Sequence, residues 1–110
     1  MRITSELFVA QLVRRVFNDG GFAAVERKGA ASAGAIFVTC RDRQGRVILH
    51  APAIQSLVEN GDGRAFMREE IADEEALRTR FEREARFDPD FWLVEIETDA
   101  PETYLDIVET

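Results

Sequence analysis

Arg83-Glu84-Ala85-Arg86-Phe87-Asp88-Pro89-Asp90-Phe91-Trp92-Leu93-Val94-Glu95-Ile96-Glu97 joins the end of a charged helix to a strand, with a proline at the boundary. Proline and the residue before it both resist helical continuation, so the helix stops ahead of Pro89 and an extended segment runs from Phe91 to Glu97. Trp92, Val94 and Ile96 then fall on one side of that strand and Glu95 and Glu97 on the other, one buried face and one wetter face. The segment carries the only tryptophan, so the core is expected to organise here. Trp92 is expected to be largely buried, its indole between the second helix and the sheet.

Upstream, Asp73 is a good N-cap, with Glu74 and Glu75 in the favourable first turn. Leu77, Phe81 and Ala85 face inward at spacing four. The outer face offers Glu74–Arg78, Arg78–Glu82, Arg80–Glu84 and Glu82–Arg86 pairs, each worth a few tenths of a kcal/mol. Residues 64–71 alternate as an exposed edge strand would, although a helical start fits too. The pattern weakens from Pro52, and Asn60-Gly61-Asp62-Gly63 marks a flexible tip.

Toward the N-terminus, Val47 to Ala51 reads as a strand returning from a hairpin at Arg43-Gln44-Gly45, with glycine where φ must be positive. Ala33 to Arg41 is apolar without alternation, as in a central strand covered on both faces or one with a face covered by a partner. Phe22 to Lys28 is another strand, followed by a small-residue turn. Thr4 or Ser5 caps a first helix whose Phe8, Val9, Leu12, Val13, Val16 and Phe17 form a wide apolar stripe. Gly20 and Gly21 end it, and Thr103 to Val108 is a last short strand. Short turns between successive strands favour a meander. The expected fold is α+β, a two-layer sandwich with an antiparallel sheet of four to six strands and two helices on one face, residues 1–110 forming a single domain.

Composition narrows function more than it identifies it. The chain has 110 residues, 45% of them apolar, enough for one core. Its net charge of −7 opposes nucleic acid as a partner, because affinity there comes from neutralising phosphates. Residues 1–50 hold eight basic and four acidic side chains, so residues 51–110 must carry −11 to reach that total. This hints at a bipolar surface. No apolar run approaches the roughly 18–20 residues of a membrane helix, and the N-terminus lacks the pattern of a secretory signal. One cysteine forms no intrachain disulfide. A cytoplasmic location without a membrane partner is expected.

The candidate chemistry is sparse. His50 is the only histidine and reads as a structural or rim residue rather than a general acid–base. Cys40 lies inside an apolar strand with no group nearby to lower its pKa, so it should act as a small buried hydrophobe. Asp88 and Asp90 could ligate a metal together with Glu95 and Glu97, but their place around Pro89 suits turn-forming hydrogen bonds better. Glu26-Arg27-Lys28 and Pro89-Asp90 echo two halves of a metal-dependent nuclease core in reversed order. Gly29 to Gly34 leads into a strand, where a phosphate loop would lead into a helix. No metal and no cofactor is expected. An anion or small-molecule site would draw on Arg27, Lys28, Arg64, Arg83, Asp88, Asp90 and Trp92, guanidinium groups beside an aromatic wall.

Two segments carry a resemblance: Arg27-Lys28-Gly29 leading to Ala33-Gly34-Ala35-Ile36-Phe37-Val38, and Arg83-Glu84 through Asp88-Pro89-Asp90-Phe91-Trp92 to Glu95-Ile96-Glu97. With them the chain resembles a small bacterial family, found mainly in alphaproteobacteria, catalogued as a domain of unknown function. That resemblance spans nearly the whole length and implies no activity, substrate or cofactor.

The residues favour a non-catalytic protein-interaction or accessory module over an enzyme. The alternative is a small-molecule or anion-binding domain, with weak enzymatic activity as a subset. If both helices lie on one face, Ala35-Ile36-Phe37-Val38 leaves the opposite face apolar, with Leu105 and Ile107 covering only part of it. A homodimer through that face is therefore expected, unless the face is simply solvated.

Overall fold

The computed structural model describes residues 3–53 and 64–109; the expected flexible tip at 60–63 lies outside them. Helix α1 (Ser5–Asn18) starts at Thr4, whose side chain accepts the Leu7 N–H at 3.1 Å. The first turn is tied further by the N–H groups of Ser5 and Glu6, which donate to the carbonyls of Ser32 and Ala31. Strands β1 (Phe22–Arg27), β2 (Ile36–Arg41), β3 (Val47–Pro52) and β4 (Ala65–Glu69) follow. Gly45 takes φ +84° in the hairpin between β2 and β3, and β4 decides the ambiguity at 64–71 in favour of a strand. Helix α2 (Glu74–Phe87) is capped by Asp73, which accepts the Ala76 N–H at 2.8 Å. Strand β5 (Trp92–Glu97), a 3-10 turn at Pro101–Thr103 and the two-residue β6 (Asp106–Ile107) complete the chain.

The class is α+β, two helices on a six-stranded, mostly antiparallel sheet, but its layering and strand order correct the expectation. The order is β1-β5-β2-β3-β4-β6. Only β2-β3-β4 form a meander. Strand β5 enters between β1 and β2, antiparallel to the first and parallel to the second, and β6 lies parallel to β4. The crossover through α2 carries the chain back into the sheet, one strand in from its β1 edge. There Val94 and Ile96 are fully buried, as their alternation requires.

The helices cover opposite faces, not one. Adjacent residues of β2 point to opposite sides. Val38 joins Val9, Leu12 and Val16 of α1 in one apolar cluster, while Phe37 packs with Phe81 and Ala85 of α2 in another. The architecture is thus a three-layer α–β–α sandwich. A strand apolar on both sides requires cover on both, and each helix supplies one. The ground for expecting a dimer through the β2 face is thereby removed. Leu105 and Ile107 lie on the α1 side with the larger cluster, not on the opposite side as expected.

Trp92 is 3% exposed, but it packs on the α1 side of the sheet rather than against α2. Helix α2 has no fully buried residue and is held by a thinner set of contacts. The rings of Phe37, Phe81 and Phe91 pack with centroids 5.5–5.6 Å apart. Arg80 bonds Glu69 of β4 at 2.7 Å and Glu84 at 2.8 Å, with its guanidinium over the Phe37 ring. Arg41 of β2 reaches Glu74 at 3.2 Å. Of the expected helix pairs Arg80–Glu84 forms, while Glu74 turns to the sheet and Arg78 to Glu75.

Of the two readings of His50, structural or rim, burial selects the structural one: it is fully buried on the α1 face, opposite Arg68, and neither ring nitrogen makes a hydrogen bond among the described residues. Burial, followed by the Arg68 charge, holds its pKa below the ordinary 6.5. The fold therefore accepts the neutral ring. In the unfolded chain the ring takes up a proton as pH falls through about 6.5, while the folded ring resists until lower pH. Stability should hold above that value and fall as pH drops below it toward the folded pKa. Urea unfolding at pH 7.5 and 5.5 should show this loss in the wild type and a smaller one in His50→Leu. Equal losses would assign the effect elsewhere.

Candidate functional site

The residues proposed from sequence as an anion site gather only in part, and they gather as a brace. Arg27 lies over the Phe91 ring, 4.4 Å from its centroid, and Nη2 donates to the Pro89 carbonyl at 2.7 Å. Trp92 Nε1 donates to Ala30 O at 2.8 Å, and the Ala30 N–H donates to Asp90 O at 2.9 Å. Asp88 Oδ1 accepts the Asp90 N–H at 3.0 Å, the turn role its position suggested. These bonds lash the loop after β1 to the loop before β5. Buried there, Trp92 presents no aromatic wall to a ligand.

The remaining members lie apart. Lys28 is exposed at the end of β1. Arg64 bonds Ile3 O and Ser5 Oγ at the start of α1, and its guanidinium lies over Phe8. Arg83 is exposed on α2, beside Arg80 and Glu69. Cys40 is buried in β2, where burial, with the Glu102 charge adding to it, pushes the thiol up to about 12. A thiol so held is protonated at neutral pH, and the thiolate is the nucleophile. Among the described residues no three His, Cys, Asp or Glu side chains are grouped to hold a metal ion.

A cleft of about 680 Å³ opens where β3 begins and β4 ends. Val47, Ile48, Ile71 and Leu77 contribute its apolar lining, and Arg68 projects there without a hydrogen bond or ion pair among the described residues. Sequence reading missed this cleft, because its residues come from two separate stretches, 45–48 and 68–77, with no shared motif. Arg46 and Arg68 face Glu70, Asp73 and Glu74 around it, so the local balance does not favour an anion.

The other feature is a surface. Among the described residues strand β1 ends the sheet and pairs only with β5. Beside it, Ala10, Val13 and Phe17 recur along α1 at three- and four-residue spacing, on one flank of the helix. Phe17 meets Phe22 of β1 edge-on, with centroids 6.2 Å apart, so this flank looks toward the free edge. Phe8 and Arg15 reach the other way, to Phe66 and Tyr104. Phe17, Phe22 and Val25 are 50%, 44% and 47% exposed. Phe87 is more exposed still, but it stands alone at the end of α2, and isolated apolar residues are ordinary on surfaces. On the α1–β1 flank Phe17 and Phe22 touch, and Phe22 and Val25 border strand backbone unpaired among the described residues.

An unprotected strand edge invites another chain, and proteins blunt such edges with charges and bulges. Here the protection is confined to one end. The register shifts between Val25 and Arg27, next to the exposed Glu26 and Lys28. Phe22 to Val25 carry neither charge nor bulge. The sequence held one sign of this: Phe22 and Val25 lie on opposite faces of a strand, leaving it apolar on both.

Residues 3–106 match the model of a family described as protein of unknown function (DUF1491). Protein Atu0922 from A. tumefaciens, known from a solution structure, is 50% identical with a TM-score of 0.85, over 100% of this chain and 98% of that one. The crystal structure of a DUF1491 family protein from Caulobacter crescentus CB15 matches at 35% identity and a TM-score of 0.79, over 99% of this chain and 100% of that one. An NMR structure of a DUF1491 family protein from the same organism matches at 36% and 0.78, over 100% and 99%. No curated protein matches the chain. Among the described residues no helix is long and apolar enough to cross a membrane.

Proposed function

Since the chain belongs to the DUF1491 family, whose description names no activity, we propose from its own surfaces that it is a non-catalytic protein-interaction module. The α1–β1 flank is its docking surface. The observation that carries this reading is the run of half-exposed Phe17, Phe22 and Val25 along a free sheet edge. An added strand gains main-chain hydrogen bonds from such an edge and side-chain contacts from the flank beside it. The buried Cys40, with its thiol held protonated, fits this better than a catalytic role. A cytoplasmic location belongs to the proposal and rests on the single free cysteine. The net charge of −7 argues against nucleic acid as the partner.

A second reading, a small-molecule domain with weak enzymatic activity as a subset, draws on the cleft at Arg68. Tagged wild type, Val25→Lys and Arg83→Ala, expressed in the native host and captured, separate the two. The interaction reading expects a protein retained by wild type and Arg83→Ala and depleted about tenfold or more with Val25→Lys, since a lysine on an open edge blocks strand addition. Equal capture by all three overturns it. A small molecule that co-purifies with the wild type and is lost in Arg68→Ala supports the second reading.

A further inference from the structure

We infer that the partner of the α1–β1 flank is a second copy of this chain, joined by antiparallel pairing of the two β1 strands about a two-fold axis at Ala24. This rests on the interaction reading and names its occupant. A two-fold perpendicular to the sheet keeps the α1 side of both protomers on the same side and pairs residues symmetrically about the axis. Ala24 then faces the partner's Ala24, Val25 the partner's Ala23, and Phe22 the partner's Glu26.

The pattern is self-complementary. On the α1 side a large residue meets a small one in each pair, so the two exposed Val25 side chains lie over alanines instead of colliding. On the other side Phe22 packs along the stem of the partner's Glu26. The charges agree with this register. Lys28 is exposed at one end of β1, and Asp19 is exposed in the turn before the other end. Antiparallel pairing brings each Lys28 beside the partner's Asp19-Gly20 turn. The bulge after Val25 limits the regular pairing to a few residues on each side of the axis. The dimer should therefore be weak, forming at tens to hundreds of micromolar, on the order expected of a short interface. It would extend the sheet from six strands to twelve.

Sedimentation equilibrium of the full chain from 10 µM to 1 mM tests this, with hydrogen exchange of the wild type at both limits. Expected are a mass rising toward the dimer with concentration, at least about tenfold weaker association in Val25→Lys, and slower exchange at high concentration confined to residues 22–26 and the α1 flank. Val25 is half-exposed, so the variant should fold, and circular dichroism checks that it does. The wild-type exchange pattern decides independently of the variant. A monomer at 1 mM, a dimer unaffected in a folded Val25→Lys, or protection elsewhere overturns the self-pairing. If self-pairing fails but Val25→Lys still loses a captured protein, the interaction reading stands with a different partner. If capture is unchanged as well, both fail.

Discussion

Trp92→Ala is expected to lower the free energy of unfolding by about 3–5 kcal/mol. The indole is 3% exposed and packs in the cluster that joins α1 to β2 and β5. Truncation leaves a cavity bounded by elements that are themselves held by other contacts, so collapse around it should be partial. It also removes the donor to Ala30 O, in the loop whose carbonyls at Ala31 and Ser32 accept from the first turn of α1. A domain of this size has about 5–15 kcal/mol in total, so the variant should sit near the edge of folding. Urea unfolding followed by far-ultraviolet circular dichroism measures it, since the variant lacks the fluorophore. Trp92→Phe keeps a ring but removes the indole donor, leaving Ala30 O with the Gly34 N–H alone at 3.2 Å, and should cost about 1 kcal/mol for the lost hydrogen bond. A loss below about 1 kcal/mol for Trp92→Ala would mean that the indole is not a core element.

Gly29→Ala should be as damaging, for a different reason. A Cβ at Gly29 would run into the Asp90 carbonyl oxygen and come within 2.6 Å of the Phe91 carbonyl carbon. Both are backbone atoms, so no rotamer change relieves the clash. The loops must separate, and the Ala30–Asp90 and Arg27–Pro89 hydrogen bonds go with them. The expected loss is about 3 kcal/mol, the upper end for an overpacked site, or more. Gly20→Ala is the control: it has φ +85° but nothing within 4 Å, so it carries only the left-handed strain of about 1–2 kcal/mol. Gly29→Ala no worse than Gly20→Ala in thermal unfolding would refute the close approach of the two loops.

The local elements were legible because their signals are local. Thr4 and Asp73 cap the helices, Gly45 turns the hairpin, Asp88 closes the turn at Pro89, and the apolar run in β2 marks a strand covered twice. The candidate site was far less legible. Arg27, Asp88, Asp90 and Trp92 do meet, but their bonds go to backbone, and Arg64 and Arg83 lie elsewhere. Residue type shows what a side chain can bind; it does not show that a carbonyl already occupies it.

Sequence alone determined where the two helices begin, where most of the strands lie, which stripe of each helix is apolar, and that Trp92 is buried. Periodicity and capping act over a few residues and need no distant partner. Only the tertiary structure decided that α2 lies across the sheet from α1, that β5 separates β1 from β2, and that Trp92 faces α1. It also decided that β1 is an outer strand, which leaves Phe17, Phe22 and Val25 half-exposed at the surface. An apolar stripe demands cover without specifying which side of the sheet supplies it. That choice belongs to the crossover through α2 and to the doubly apolar β2, where Phe37 and Val38 each needed a helix of their own.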